Sequence, residues 1–443
     1  MALKHIALLC LTLALQLPGL SAAASLPEIR YRLHKDSQAD VEADLRQLAA
    51  RGDNASRLML ADRLAGSGEA GKVQEAVALY TRAFDDGRGE VDALVGLARL
   101  SERNQLYLER NRAFFQQAVG RYPHDRDFSS LSSTLEIFLT YPEHFQDQQI
   151  ELLITLYERG CVENCLDFSY RAGLAERRGQ SDLAENFYRI ALLKDVRAVD
   201  RYFRFLGPRQ DKEFKAYAKT LEDGMQDLPV EVVQSIASHL SSLSTENDPA
   251  VALWLDNAIA RGSSPAMITK ASYMMSFADS YDPETTLALI ERIETQQSQL
   301  GRALRASAYM VRSWPTLDPY KAHELIQSLL AEGYENAYLN LGELYSMGGL
   351  DQVEQFKAIA TYKKLAAQGS ASAFYRIATI YGRGRGICND KVRAYAYAKI
   401  AVDYGELGAS KYLQELAAEI SQEDLAKALL AKADIIKDIK VQL

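Results

Sequence analysis

The chain has 443 residues, of which 48% are hydrophobic and 25% are charged, and its formal net charge is −8. This acidic balance, without a long run of lysine and arginine, argues against nucleic acid as a partner. A long polyanionic glycan would also find no continuous basic track, so contact with one would require a groove that is basic only locally.

The N-terminal residues 1–24 have the three parts of a secretory signal peptide. Lys4 supplies the positive charge, an apolar core extends from Ile6 to Leu17, and Ala22-Ala23-Ala24 offers small residues for cleavage. The apolar core is shorter than the roughly 20 residues that a membrane-spanning helix needs. We therefore expect residues 25–443 to form an exported mature protein.

Cys161 and Cys165 lie close together in the expected mature chain, whereas Cys388 stands alone. In an exported protein a nearby cysteine pair can oxidise. Side chains four residues apart on a helix have Cβ atoms about 5–6 Å apart, and a disulfide needs roughly 3.5–4.5 Å. A disulfide therefore requires a turn, which Gly160 and Asn164 would allow, and a reduced pair is the alternative. With no neighbouring histidine, the pair does not make a zinc ligand set.

Outside the most regular part of the chain, helices are predicted between short breaks. Gly207-Pro208 is such a break, because the residue before a proline is displaced from the helical region. Ser421 and Asp424 resemble a capping box at the start of a last helix, about 421–437, whose charged residues suit the end of an array. The other helices are expected at about 40–50, 54–87 (a hairpin), 93–100, 107–119, 128–139, 148–159, 168–178, 183–193, 197–205, 212–225, 230–243, 249–261, 265–278, 283–295, 300–312 and 407–418. No stretch alternates like a strand, and no linker interrupts the chain, so residues 25–443 are predicted to be one continuous all-α array.

One pattern occurs repeatedly in residues 318–409, where small residues and tyrosines return every 36 residues without a gap. The sets are Ala322, Ala358 and Ala394; Gly333, Gly369 and Gly405; Ala337 and Ala373; Tyr345 and Tyr381; Gly348 and Gly384. The first glycine set follows the second helix of each unit, where a left-handed C-cap favours glycine. A fixed period of this length, made of two helical segments, predicts an array of helical hairpins.

Each unit is predicted to pack small residues against large ones. Ala337, Gly342 and Ala358 are expected where helix backbones approach closely, and Tyr345 and Tyr362 are expected to fill the space between hairpins. The alternative is an ordinary helical bundle in which the spacing arose by chance.

Motifs for catalysis, cofactors or metals are not found in the sequence. It lacks GxSxG, a Walker-type loop and HExxH, and Gly382-x-Gly384-x-Gly386 does not follow a strand, as a dinucleotide site requires. The histidines of the mature chain are scattered, and we expect them to be surface or structural residues because a site needs a constellation. They are His34, His124, His144, His239 and His323.

The 24 tyrosines leave an enzyme hypothesis open. In an all-α polysaccharide lyase, a tyrosine acts together with a histidine or an asparagine. The simpler interpretation is that most tyrosines fill the large packing position of the repeat. Candidates for that position are Tyr80, Tyr188, Tyr345, Tyr362 and Tyr381.

Two levels of family resemblance follow from these residues. Leu341-Gly342-x-Leu344-Tyr345, with Gly348-Gly349, Lys357-Ala358 and Tyr362, resembles the Sel1-like branch of the tetratricopeptide repeats, and residues 377–387 carry the glycine-rich turn of that branch. Residues 138–145, followed by 148–150, and residues 341–354 resemble the AlgK-type family of alginate-secretion scaffold proteins. The resemblance extends unevenly over most of the mature chain.

The resemblance implies a right-handed superhelical solenoid of helix-turn-helix repeats in the periplasm, associated with the outer membrane. It implies a non-catalytic protein, without cofactors, that helps to place or stabilise the outer-membrane alginate porin and binds periplasmic alginate-modifying proteins. A repeat adaptor for another envelope complex remains the alternative within the same fold. The groove of such an array would be lined by first helices, which makes Asn340, Glu343, Arg376 and Thr379 candidate contact residues.

One departure from that family concerns the lipid anchor. Members are typically lipoproteins whose leucine-rich core ends in a small residue before an acylated cysteine. Here Leu8-Leu9-Cys10 lacks the small residue and comes early, and the expected cleavage region has no cysteine. The sequence therefore predicts either a protein without a lipid anchor or a different start codon.

Overall fold

The computed structural model describes residues 24–35, 39–67, 69–85, 90–103, 128–162, 165–384, 386–406 and 408–442. Within these ranges every regular element is a helix, so the predicted all-α class is confirmed. Most of the expected signal peptide, the helix expected at 107–119 and His124 lie outside the described residues. No helix in the described ranges combines the length and the apolar composition required to cross a membrane.

The described chain divides into two compact units, one formed by Met1–Gly68 and Lys72–Gly96 and the other by Glu69–Gly71 and Leu97–Leu443. Continuity of the array along the whole mature chain stays a prediction. The helices that contribute to the first unit are α1 (Leu26–Lys35), α2 (Glu42–Ala50), α3 (Asn54–Gly66), α4 (Ala70–Asp85) and the first part of α5 (Glu90–Arg103).

Side-chain capping and a close ring contact organise the first unit. The carboxylate of Asp53 accepts a hydrogen bond from the backbone N–H of Ser56 at 3.0 Å, which caps the N-terminus of α3. Tyr80 on α4 is 2% exposed. Its ring lies against Gly96, where an added Cβ would be 2.3 Å from Cε1 of the tyrosine. The large residue of one helix thus packs on a glycine of the next.

The second unit continues the helical series from the C-terminal part of α5. Its α-helices are α6 (Phe128–Thr140), α7 (Asp147–Gly160), α8 (Asp167–Arg177), α9 (Ser181–Ala191), α10 (Val196–Leu206), α11 (Lys215–Thr220), α12 (Val230–Leu243), α13 (Pro249–Ala260), α14 (Ser264–Ser276), α15 (Pro283–Gln296), α16 (Ser298–Ala308), α17 (Pro319–Ala331), α18 (Ala337–Met347), α19 (Gln355–Ala366), α20 (Ala371–Arg383), α21 (Lys391–Asp403), α22 (Ala409–Glu419) and α23 (Gln422–Gln442). Consecutive helices pack as hairpins, among them α18 with α19 and α20 with α21. The first helix of each hairpin also packs on the first helix of the next hairpin, which is the arrangement of a repeat solenoid. These first helices are α12, α14, α16, α18 and α20, and together they form a layer.

The residues of the 36-residue register occupy equivalent places in successive hairpins. The alanines at 322, 337, 358, 373 and 394 have no exposed surface. Gly333, Gly369 and Gly405 have φ values of 83°, 88° and 92°, in the left-handed region that favours glycine. Tyr345 and Tyr381 are half-buried. Small residues thus lie at helix contacts, and the glycines lie where each second helix ends.

Two helix predictions differ from the structure. The single helix predicted at 212–225 is wrong, because the chain forms a π-helical turn (Gln210–Phe214), the short α11 and a 3-10 helix (Glu222–Asp227). Phe214, the last residue of the π turn, is 2% exposed, and its ring lies 5.2 Å from that of Phe203. Helix α1 was not predicted, and the last helix extends to Gln442 instead of ending near residue 437.

Candidate functional site

The layer of first helices carries a concave surface that is marked by two cavities. Two adjoining cavities, of about 660 and about 320 Å³, share Arg312, Glu343 and Arg376 in their walls. The larger cavity lies along the C-terminal ends of α14 and α16, and the smaller one lies along α18 and α20. We call the two together the arginine groove.

The smaller cavity concentrates positive charge in an otherwise acidic protein. Its wall contains three arginines, Arg312, Arg376 and Arg383, and a single acidic side chain, Glu343. Because guanidinium groups stay charged at any pH a protein experiences, this part of the groove keeps a positive surplus. The wall also includes hydroxyl groups from Ser346 and Thr379.

The three arginines differ in which partner within the protein, if any, interacts with the guanidinium group. Nη2 of Arg376 lies 3.5 Å from a carboxylate oxygen of Glu343, and the side chains are 47% and 38% exposed. The charge of Glu343 raises the pKa of Arg376. Arg312 donates a hydrogen bond to the carbonyl of Met347 at the end of α18. Arg383 is exposed, and no acidic side chain among the described residues is within ion-pair distance of it.

Apolar side chains alternate with the charged ones along the same surface. The sulfur-bearing chains of Met275 and Met347 are half-buried in the walls, Leu304 lies beside the first, and Val353 is 46% exposed beside the second. Methionine adapts to partners of different shape because its chain is unbranched and polarizable. The groove therefore offers flexible apolar contact next to fixed positive charge.

One side chain at the edge of the smaller cavity has an unmet hydrogen-bonding capacity. Gln355 is 6% exposed, and its Nε2 donates to the carbonyl oxygen of Ser346 at 3.0 Å. Its Oε1 is buried, and no described residue forms a hydrogen bond with it.

The four contact residues that the sequence suggested have different roles. Glu343, Arg376 and Thr379 line the groove. Asn340 instead holds two helices together, because its Nδ2 donates to the backbone oxygen of Ala303 at 3.1 Å and to Oγ of Ser307 at 2.7 Å.

Sequence reasoning missed the other two arginines of the groove. Arg312 follows α16 in a turn, 36 residues before Gly348, and the glycines of that set gave no indication of a charged side chain at this position. Arg383 lies directly before the left-handed Gly384, at the open end of a first helix. This position at the end of a first helix was the sequence feature that could have identified Arg383 as a groove residue.

The large packing tyrosines are unsuited to act as bases where they lie. Tyr188 and Tyr362 are 3% and 1% exposed, and burial raises the pKa of both hydroxyls. Tyr141 and His144 have ring centroids 6.0 Å apart, but Tyr141 is fully buried. These contacts show packing and no open tyrosine–histidine pair among them.

A serine, a histidine and an aspartate meet between α10 and α12. Nε2 of His239 and Oγ of Ser235 lie 2.9 and 3.2 Å from the same carboxylate oxygen, Oδ1 of Asp200. In a catalytic triad the histidine would lie between the other two. His239 is 2% exposed and stacks on Phe203 with centroids 4.1 Å apart. The arrangement joins two helices and lacks the order of a proton relay.

Two cysteines close a short loop after α7. Sγ atoms of Cys161 and Cys165 are joined in a disulfide, with Cα atoms 5.8 Å apart, just after α7 ends at Gly160. Cys388 is exposed. Within the described ranges, no group of three or more histidine, cysteine, aspartate or glutamate side chains is placed to hold a metal ion.

Comparison with known proteins gives likeness at the level of structure alone. No protein-family model and no curated protein matches this chain. It is similar to a Sel1 repeat protein from Oxalobacter formigenes, with 16% identity over 92% of this chain and 99% of that chain and a TM-score of 0.27. It is also similar to a protective antigen of uropathogenic Escherichia coli that displays an SLR fold, with 15% identity over 89% of this chain and 94% of that chain and a TM-score of 0.28. At these values nothing about partners or activity transfers to this chain, and its fold assignment rests on its own helix packing.

Proposed function

We propose that the chain is a non-catalytic scaffold that binds other proteins, and that the arginine groove is its main contact surface. The observation that supports this most directly is the row of first helices, which presents exposed basic, hydroxyl and apolar side chains along one concave face. Repeat arrays expose extended surfaces of this kind instead of one deep pocket. The tyrosines and histidines discussed above are occupied by packing, which favours the scaffold over the tyrosine-based lyase.

We further propose that the scaffold works in alginate export. The sequence resemblance in residues 138–150 and 341–354 supports this assignment, and the signal-peptide pattern of residues 1–24 supports export to the periplasm. A disulfide between Cys161 and Cys165 fits an oxidising compartment. The proposed partners are the outer-membrane alginate porin and periplasmic alginate-modifying proteins. The protein would associate with the outer membrane through them.

Deletion of the gene, followed by measurement of released and retained polymer, tests this function. We expect polymer export to be lost while growth is normal. Affinity purification of the tagged full-length protein from envelope extracts should recover the alginate porin. Normal polymer release from the deletion strain would contradict the export role, and recovery of an unrelated envelope complex would favour the adaptor alternative.

The enzyme alternative has its own test. Purified protein is incubated with polymannuronate, and the ultraviolet absorbance of unsaturated uronate ends is followed. A scaffold leaves the polymer intact. A rise in absorbance that is lost when Tyr345 or Tyr381 is changed to Phe would instead establish a tyrosine-based lyase, because these half-buried tyrosines retain exposed surface.

A further inference from the structure

The charges of the arginine groove limit the chemistry of what it can hold. The protein as a whole is acidic, with a formal net charge of −8. The wall of the smaller cavity nevertheless has three guanidinium groups against the one carboxylate of Glu343. The larger cavity adds the carboxylate of Asp279, so the groove as a whole has three guanidinium groups against two carboxylates. A cationic or neutral ligand would leave this surplus uncompensated, whereas carboxylates would pair with it through charge-assisted hydrogen bonds.

The apolar part of the groove separates two classes of carboxylate ligand. A polyuronate carries polar groups around every ring, and placing polar groups against an apolar wall without hydrogen bonds costs free energy. Among the described wall residues the aromatic rings are Phe277 and Tyr362, and Tyr362 is 1% exposed. Met275, Met347 and Val353 instead offer aliphatic and thioether contact. That combination suits amino-acid side chains better than sugar rings.

The size of the surface indicates an extended segment. The groove crosses four neighbouring first helices, α14, α16, α18 and α20. Neighbouring helices are about 8–10 Å apart, so three steps cover about 25–30 Å. An extended peptide rises about 3.3–3.6 Å per residue and would cross the groove with about eight residues.

We propose that the arginine groove binds an extended acidic peptide segment of a partner protein, in which carboxylates pair with Arg312, Arg376 and Arg383 and apolar side chains contact Met275, Met347 and Val353. This inference deepens the proposed scaffold function and rests on it. Glu343 has a defined part in it: it lies 3.5 Å from Arg376 and competes with the peptide for that guanidinium.

The test is fluorescence anisotropy with the full-length protein and a labelled peptide of about eight residues in which glutamate and leucine alternate. A peptide with glutamine in place of glutamate is the ligand control, and an oligomannuronate of similar length is the competitor. We expect the acidic peptide to bind, its glutamine counterpart to bind much more weakly, and affinity to fall as salt is raised from about 0.05 to about 0.5 M.

Two substitutions should change the affinity in opposite directions. Arg383→Gln should weaken binding by about two- to fivefold, the effect of one exposed charge pair. Glu343→Gln should strengthen binding by a similar factor, because it releases Arg376. A merely structural disturbance would not produce that gain. Exposed residues on second helices provide the matched controls Arg292→Gln on α15 and Glu324→Gln on α17, which should leave the affinity unchanged.

Three outcomes would overturn the inference. They are no binding of the acidic peptide, equal effects of the groove and control substitutions, and displacement by the oligomannuronate at lower concentration than by unlabelled peptide, which would assign the groove to a glycan. A protein that still recovers envelope partners yet fails to bind the peptide would refute the groove assignment and leave the scaffold function standing.

Discussion

A Cβ atom added to Gly342 would lie 2.5 Å from Cε1 of Tyr362, with two further ring atoms within 2.8 Å. Gly342 is on α18 and Tyr362 is on α19, so the ring of Tyr362 packs directly on the glycine of the other helix in the same hairpin. Tyr362 is 1% exposed there. The sequence suggested that small residues pack against large ones, and Gly342 and Tyr362 form one such contact.

Gly342→Ala should lower the free energy of unfolding by about 1–2 kcal/mol. Overpacking a well-filled contact costs about 1–3 kcal/mol, which exceeds the roughly 0.5–1 kcal/mol that alanine gains over glycine within a helix. Chemical denaturation followed by circular dichroism measures the change. Gly71→Ala is the control, because an added Cβ there meets nothing within 4 Å. Equal stability of Gly342→Ala and the wild type would mean that the ring of Tyr362 moves aside without cost.

Asn340→Ala should destabilise the protein by about 1–2 kcal/mol, because it removes two hydrogen bonds between helices, from Nδ2 to the backbone oxygen of Ala303 and to Oγ of Ser307. Thr379→Ala is the comparison. Among the described residues its hydroxyl bonds to the carbonyl of Arg376 on its own helix, so the loss should be about 0.5 kcal/mol or less. Thermal denaturation measures the stability of both variants. Similar losses of stability would contradict the conclusion that Asn340 holds α16 and α18 together.

Glu75→Gln should remove part of the acid sensitivity of the first unit. Arg46 donates to both carboxylate oxygens of Glu75, with Nη2 2.9 Å from Oε2, and these hydrogen bonds lower the pKa of Glu75. Because the folded-state pKa is below the unfolded value of about 4.3, the pair stabilises the fold fully above that value and loses its effect as the pH falls through the folded pKa.

Both side chains of that pair are 40% exposed, so solvent screening limits the effect at neutral pH to about 0.2–1 kcal/mol. Urea denaturation at several pH values should show Glu75→Gln less stable than the wild type at pH 7 and nearly equal to it below the folded pKa. A difference that stays constant with pH would show that the carboxylate's charge is not the cause.

Reduction of the Cys161–Cys165 disulfide should lower stability by no more than about 2 kcal/mol, because closing a loop of so few residues restricts the unfolded chain only modestly. Melting temperatures with and without a reductant measure this for the wild type and for Cys161→Ser. The variant should melt at the same temperature in both conditions. A wild-type protein that is indifferent to the reductant would indicate that the disulfide contributes nothing to stability.

Helical structure and the regular register could be predicted because they depend on local pattern. Alanine at 322, 358 and 394 returns at the spacing of one hairpin, and each is fully buried. The helix predicted at 212–225 is wrong at a place where a contact distant in sequence is made: Phe214 ends the π turn and packs against Phe203 on the preceding helix.

The candidate site was only partly predictable for the same reason. Asn340 and Arg376 occupy the same place in successive repeats, 36 residues apart. Each reaches a residue 33 positions earlier, but for Asn340 that residue is Ser307, a hydrogen-bond partner between helices, and for Arg376 it is Glu343, an ion partner in the groove. The role of each therefore depends on the neighbouring repeat.

By itself, the sequence determined that this protein is a series of helical hairpins with small residues at the helix contacts, since helix period and residue size are properties of the local chain. Only the tertiary structure decided which side chains share a surface. Arg312 follows one first helix and Arg383 ends another, and they line the same cavity because α16, α18 and α20 pack side by side. Helix period orients each side chain about its own axis, but the stacking of separate helices determines which charges meet.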